Sequence, residues 1–274
     1  MPTVRKLLAV LALWAGAIPA IAQQIEVLWL GHSAFRITSV TGKVIVIDPF
    51  LTTNPRTPTK YKDLAALGKV DLILVTHGHR DHAYDVPALA KLTGARVIAN
   101  YELAKSFVTA GLLDPAMTPS GMNKGGSVAP LGPGIRIHMV PASHTSSLDM
   151  TELGHPEWKG PRLLDGGVSV GYVIEFENGF RIYHTGDTDV FGDMALIGRR
   201  FKPDLALVCI GGYFTMDPEG AAFAMREYIK PKQVIPMHYG TFPVINTTPA
   251  DLKAALGNAP IKVIEAKPGE PLRF

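Results

Sequence analysis

Short apolar runs separated by turn residues make up most of this chain. Each run ends near glycine, proline, asparagine or aspartate, and several are rich in valine and isoleucine, which is typical of buried strands. The pattern predicts strands over residues 25–30, 35–38, 43–47, 70–75, 96–99, 135–140, 168–176, 180–184, 205–210, 233–236 and 261–264.

Helical patterns lie between these runs. Helices are expected over residues 86–92, 102–110 and 217–228, and from Thr248 onward, with Asp217 as an N-cap followed by proline. No repeat or linker interrupts the series, so residues 23–274 are predicted to form a single α/β domain. Two irregular segments, 51–62 and 145–167, are expected to be loops that determine specificity.

A histidine-rich loop follows the predicted strand 70–75. The stretch Thr76-His77-Gly78-His79-Arg80-Asp81-His82 places three imidazoles and a carboxylate within six positions. Such donors at close quarters suit zinc or a similar divalent ion. A polar surface loop is the alternative, but further candidate ligands follow other strands.

Those ligands stand at the ends of strand-like runs, at Asp48, His77, His144, Asp187 and His238. An open sheet gathers its functional loops at one edge in this way. The spacing therefore predicts a metal site assembled from distant parts of the chain.

The N-terminus carries an export signal. Arg5 and Lys6 precede the apolar stretch 7–18, and Ala20-Ile21-Ala22 offers a small-residue cleavage site. Residues 1–22 are therefore expected to be a signal peptide of a periplasmic or secreted protein. An uncleaved membrane anchor is the alternative, although the apolar stretch is short for a span.

Charge and cysteine content further limit the classes of function that the sequence allows. Of 27 basic residues, Arg5 and Lys6 leave with the signal, so the mature chain has 25 basic and 24 acidic residues. This balance gives no electrostatic reason to expect a nucleic-acid partner or an anionic membrane surface. Cys209, the only cysteine, lies in an apolar run and is interpreted as a small buried hydrophobe.

The pattern His77-x-His79-x-Asp81-His82, followed by His144, Asp187 and His238, resembles the metallo-β-lactamase superfamily in its dinuclear hydrolase form. Segments 31–35, 99–103, 121–126 and 236–243 are similar to a branch of metal-dependent hydrolases related to ascorbate-phosphate lactonases. The resemblance covers nearly the whole mature chain. It implies a four-layered αβ/βα sandwich with the metals at one edge of two sheets.

The resemblance also implies a division of the ligands between two divalent ions, zinc by preference, with manganese or iron as alternatives. One ion would take His77, His79 and His144, and the other Asp81, His82 and His238, while Asp187 would bridge them. A metal-bound hydroxide would then attack an ester, lactone or phosphodiester. Aspartate at position 187, where β-lactamases of this fold often have cysteine, argues against an antibiotic β-lactamase.

Three residues are candidates for catalysis. Asp81 would orient the nucleophile as well as bind metal, His32 would face the substrate or support a ligand, and Tyr239 would donate to a developing oxyanion. A structural role remains open for His32 and Tyr239. Asp48 is a candidate acceptor for the second N–H of a ligand histidine, with a plain turn aspartate as the alternative.

The sequence therefore predicts a metal-dependent hydrolase of a small-molecule substrate, compatible with self-association. A catalytically silent, metal-bound binding or scaffold protein is the alternative. The complete ligand set favours the enzyme, because degenerate relatives usually lose ligands. A nuclease is disfavoured by the near-neutral charge and the export signal.

Overall fold

The computed structural model describes residues 24–118 and 121–274. The predicted signal peptide lies outside these residues and stays a prediction. No helix in the described segments is long and apolar enough to cross a membrane.

The first half of the chain builds a six-stranded sheet. Its strands, in chain order with the last one returning from the C-terminus, are β1 (Glu26–Gly31), β2 (Ala34–Thr38), β3 (Val44–Ile47), β4 (Leu72–Leu74), β5 (Arg96–Ile98) and β15 (Pro271–Arg273). The spatial order is β15-β1-β2-β3-β4-β5. The strands from β15 to β3 are antiparallel, and those from β3 to β5 are parallel.

The second half builds a seven-stranded sheet. Its strands are β6 (Ser127–Val128), β7 (Arg136–Pro141), β10 (Val170–Glu175), β11 (Arg181–His184), β12 (Leu205–Cys209), β13 (Gln233–Met237) and β14 (Lys262–Val263). The spatial order is β14-β13-β12-β11-β10-β7-β6, with parallel pairing from β11 to β14. A separate hairpin pairs β8 (Ser147–Asp149) with β9 (Leu163–Asp165) inside the segment predicted as an irregular loop.

Helices follow many of the strands, and the longer ones pack against the sheets. They are α1 (Thr59–Lys62), α2 (Arg80–Ala83), α3 (Val86–Thr93), α4 (Tyr101–Thr109), α5 (Met194–Phe201), α6 (Pro218–Phe223) and α7 (Pro249–Leu256), with a 3-10 turn at Leu64–Leu67 and a π-helical turn at Ala224–Ile229. The helix predicted over 217–228 is therefore divided between α6 and the π turn. Asp217 caps it, accepting a hydrogen bond from the Gly220 amide.

Side chains that point alternately to the two faces of each strand explain why the fold is built in layers. On β1, Val27 and Trp29 join the apolar core between the sheets, whereas Leu28 and Leu30 pack with the helices outside. Both faces of the strand are buried because each sheet is covered on both sides. The result is the predicted four-layered αβ/βα sandwich.

Tyr172 joins the two sheets directly beneath the histidine loop. Its buried hydroxyl, on β10, donates to the carbonyl oxygens of Val75 and Ile98 at 2.9 and 3.2 Å. These two carbonyls follow β4 and end β5, so one side chain holds the second sheet against the strand ends of the first.

We expect Tyr172→Phe to lower the free energy of unfolding by about 1–3 kcal/mol, because the Val75 carbonyl loses its buried donor. Chemical denaturation monitored by circular dichroism measures this. Tyr101→Phe, at a side chain that is 47% exposed, is the matched control and should change stability little. Equal stability of the two variants would contradict the assigned role.

Candidate metal centre

The candidate ligands gather where the C-terminal ends of strands from both sheets meet. His77 follows β4, His144 follows β7, Asp187 follows β11 and His238 follows β13. Gly186 makes the turn to Asp187 with a φ of +63°, and an added Cβ would lie 2.5 Å from the Val170 carbonyl oxygen. Only glycine fits there, which explains the Gly-Asp step at this strand end.

The first cluster consists of His77, His79 and His144. One ring nitrogen from each lies within 4.8 Å of the others. Nε2 of His77 and Nδ1 of His79 are only 3.0 Å apart. Burial and the neighbouring imidazoles lower the pKa of all three, so these rings are neutral at pH 7, which is the form of imidazole that binds a cation.

The second cluster consists of Asp81, His82 and His238, with His32 beside them. Asp81 Oδ2 lies 3.7 Å from His238 Nε2 and 4.0 Å from His82 Nε2. Burial alone would lower the pKa of the two histidines. The nearby carboxylates outweigh it, raising the pKa of His238 to about 9 and that of His82 well above its usual value.

Asp187 stands between the two clusters. Its Oδ2 lies 3.0 Å from His238 Nε2, 3.3 Å from His82 Nε2, 3.8 Å from His144 Nε2 and 4.0 Å from His77 Nε2. Burial would raise the pKa of Asp187, but the imidazolium charges of His238 and His82 hold it well below its usual value. One carboxylate thus touches both groups of donors.

Several buried atoms in this arrangement have no hydrogen-bond partner in the part of the chain that the structure describes, namely His82 Nε2, both ring nitrogens of His238, and Asp187 Oδ1. His238 Nε2 and Asp187 Oδ2 are close enough for a hydrogen bond but are not aligned for one. Buried polar atoms without partners are costly in a folded protein. Atoms that converge without bonding one another fit a site for cations, and the imidazole and carboxylate donors suit such ions.

Asp48 orients one histidine of the second cluster, His82, through a hydrogen bond. Its carboxylate is fully buried and accepts hydrogen bonds from His82 Nδ1 at 2.7 Å, and from the Thr76 amide and hydroxyl at 2.8 and 2.7 Å. The bond to Nδ1 leaves His82 Nε2 as the free donor atom that faces Asp187. Asp48 therefore fills the supporting role rather than that of a plain turn residue.

His32 and Tyr239 lie beside the centre, away from its opening. His32 is fully buried; its ring bonds Asp81 Oδ2 and Thr241 Oγ1, both at 2.9 Å. Tyr239 stacks on Trp29 with ring centroids 5.4 Å apart, and burial raises its pKa to about 12. Neither lines the open cavity, so the contacts favour support of Asp81 for His32 and packing for Tyr239.

Three residues at the centre adopt a backbone conformation that is rare without glycine. His32, Asp48 and His238 have φ values of +55°, +45° and +57°. The His238 amide also donates to the His32 carbonyl at 3.1 Å, which ties the two turns together. Such strain persists where surrounding structure imposes it, and it concentrates at functional sites.

An open cavity of about 330 Å³ leads to the centre. Besides five of the candidate ligands, its lining includes residues that sequence reasoning did not single out: Arg80, Thr145, Glu152 and Phe214. Thr145 and Glu152 fall in the predicted specificity segment 145–167. Phe214 stands on the loop after β12, where no polar motif marked it.

Two further histidines and the cysteine lie outside the centre. His184 Nε2 contacts the Ser33 carbonyl at 3.0 Å, and His155 contacts Glu157 at 3.2 Å on the surface. Cys209 is fully buried, and burial raises its thiol pKa to about 11. A protonated, inaccessible thiol has no nucleophilic role.

Comparison with known proteins agrees with this geometry. Residues 43–239 match the β-lactamase superfamily domain. The chain is 52% identical over 255 residues to a UPF0173 metal-dependent hydrolase of Cupriavidus necator, covering 92% of this chain and 87% of the relative. A UPF0173 metal-dependent hydrolase of a Polaromonas species is 49% identical over 254 residues, covering 91% and 89%.

Among solved structures, Igni18, a metallo hydrolase from the archaeon Ignicoccus hospitalis, is similar at 34% identity and a TM-score of 0.76. The match covers 92% of this chain and 98% of that one. The predicted fold and family are thereby confirmed. The chain belongs to the β-lactamase superfamily and is a metal-dependent hydrolase of the metallo-β-lactamase fold.

Proposed function

We propose that the protein is a dinuclear hydrolase that cleaves an ester, lactone or phosphodiester bond in a small molecule. The observation that carries this proposal is the position of Asp187 Oδ2, within 4.0 Å of ring nitrogens from both clusters. A carboxylate that reaches two donor groups is suited to bridging two cations. Zinc fits the donor set best, and manganese and iron accept the same ligands.

In this proposal His77, His79 and His144 hold one ion, and Asp81, His82 and His238 hold the other. Ions at these places would lower the pKa of a shared water toward neutrality and polarise the substrate oxygen. Asp81 is held by its bond to His32 and lines the cavity, so it is placed to orient the attacking water. Asp48 keeps His82 in the tautomer that leaves Nε2 free.

Metal analysis combined with a substrate panel tests the activity. Purified protein should bind about two ions per chain and hydrolyse at least one of an aryl ester, a lactone and a bis-aryl phosphate. Full occupancy with tight ligand binding but no turnover would instead favour a silent binding protein. Less than one ion per chain, without hydrolysis, would refute both.

We expect Asp187→Ala to lose at least one ion and to lower kcat/KM about a thousand-fold or more, because the contact to both clusters disappears. Asp189→Ala is the matched control, since this exposed aspartate lies two residues away and its carboxylate accepts a hydrogen bond from the adjacent Val190 amide. Inductively coupled plasma mass spectrometry and steady-state kinetics give the two readouts. Unaltered metal content and rate in Asp187→Ala would refute the bridging role.

Asp48→Asn should weaken metal binding about 10- to 100-fold, because the amide cannot accept all three hydrogen bonds that the carboxylate accepts. Competition with a fluorescent chelator measures the affinity. Asp71→Asn is the control: this carboxylate also accepts a backbone hydrogen bond, from Val44, but belongs to a different part of the sheet. Equal losses in both variants would indicate a general effect on folding.

Protons should compete with metal at the second cluster. The carboxylates raise the pKa of His238 to about 9, so its imidazole is protonated in the metal-free protein at pH 7 and must release a proton to bind an ion. Apparent affinity should therefore rise as pH increases from 6 to 9. Titration calorimetry in buffers of different ionisation enthalpy measures the released protons, and binding without proton release at pH 7 would contradict this.

A further inference from the structure

The cavity above the candidate metal centre has one wall that carries a fixed positive charge. Arg80, the first residue of α2, lines this cavity together with Asp81, His144 and Phe214. It stands between two candidate ligands in sequence, so its position is tied to the centre by the same short loop.

The guanidinium of Arg80 is held in place by aromatic rings. Its Cζ lies 5.3 Å from the ring centroid of Phe50 and 5.0 Å from that of Tyr84. One Nη donates to Thr53 Oγ1 at 3.0 Å, and Thr53 belongs to the predicted specificity segment 51–62. Stacking on two rings fixes the planar group, so little side-chain entropy is lost when it binds a ligand.

Within residues 24–118 and 121–274, no carboxylate lies within ion-pair distance of Arg80. Some other arginines are paired, as Arg162 is with Asp149 at 2.8 Å and Arg181 with Glu175 at 3.0 Å. Glu152 also lines the cavity but forms no ion pair with Arg80. A half-buried, oriented guanidinium without a carboxylate partner among the described residues is suited to bidentate binding of a carboxylate or phosphate.

We propose that Arg80 is a specificity residue that selects substrates carrying an anionic group, a carboxylate or a phosphate oxyanion, close to the bond that is cleaved. This inference rests on the proposed hydrolase function. The guanidinium binds the anion of the substrate and thereby holds the reacting carbonyl or phosphoryl centre against the metal cluster. Neutral esters of equal size lack this contact.

Two matched substrate pairs test the proposal and distinguish the two anions. The carboxylate pair is 4-nitrophenyl hemisuccinate and neutral 4-nitrophenyl butyrate, and the phosphate pair is ethyl 4-nitrophenyl phosphate and neutral diethyl 4-nitrophenyl phosphate. Wild-type protein should prefer the anionic member of at least one pair. Arg80→Gln should lower that preference, the ratio of kcat/KM values, about 10- to 100-fold, mainly through KM.

Arg80→Lys should restore part of the preference, since lysine keeps the charge but loses the planar fork. Arg200→Gln is the matched control: this arginine also stacks on an aromatic ring, at 4.8 Å from the ring centroid of Phe201, but does not line the cavity. Its preference should equal that of the wild type. Metal content is measured for every variant.

An unchanged preference in Arg80→Gln would overturn the proposal. So would a parallel loss on anionic and neutral substrates, which would assign Arg80 a structural role beside Asp81. If the metal-loaded wild type cleaves none of the four compounds, the hydrolase proposal is contradicted for these bond types. Calorimetric titration of the intact compounds then tests the inference separately, with the same ratio taken from Kd values.

Discussion

The rest of the site depends on the contacts between the buried carboxylate of Asp187 and imidazole rings from both clusters. Its Oδ2 contacts rings that follow β4, β7 and β13. Buried carboxylates need compensating positive charge, and protons on His82 and His238 supply it in the metal-free protein. Metal ions bound at the centre would displace these protons and supply that charge instead.

The fold maintains this arrangement by joining its two sheets at the strand ends. Tyr172 holds β10 against the ends of β4 and β5, and the His238 amide bonds the carbonyl of His32. Asp48 then fixes both Thr76 and His82. Each connection links segments distant in sequence, so the geometry of the centre depends on the packing of the complete sandwich.

Much of the sandwich could be predicted from the sequence, because apolar runs and strand-end donors are local patterns. The gathering of the candidate ligands followed from their positions after strands. Contacts between separate segments could not be predicted from the sequence. Examples are the small hairpin of β8 and β9 and the hydrogen bond between His32 and Asp81. Arg80 was visible in the motif, but its lack of an ionic partner among residues 24–118 and 121–274 depends on where each carboxylate lies in the fold.

The most direct measurement of the central claim is a crystal structure of the zinc-loaded protein with anomalous diffraction at the zinc edge. Two anomalous peaks are expected, one bound by His77, His79 and His144 and the other by Asp81, His82 and His238. Asp187 should contact both. A single peak, or a second ion bound away from Asp187, would contradict a dinuclear centre.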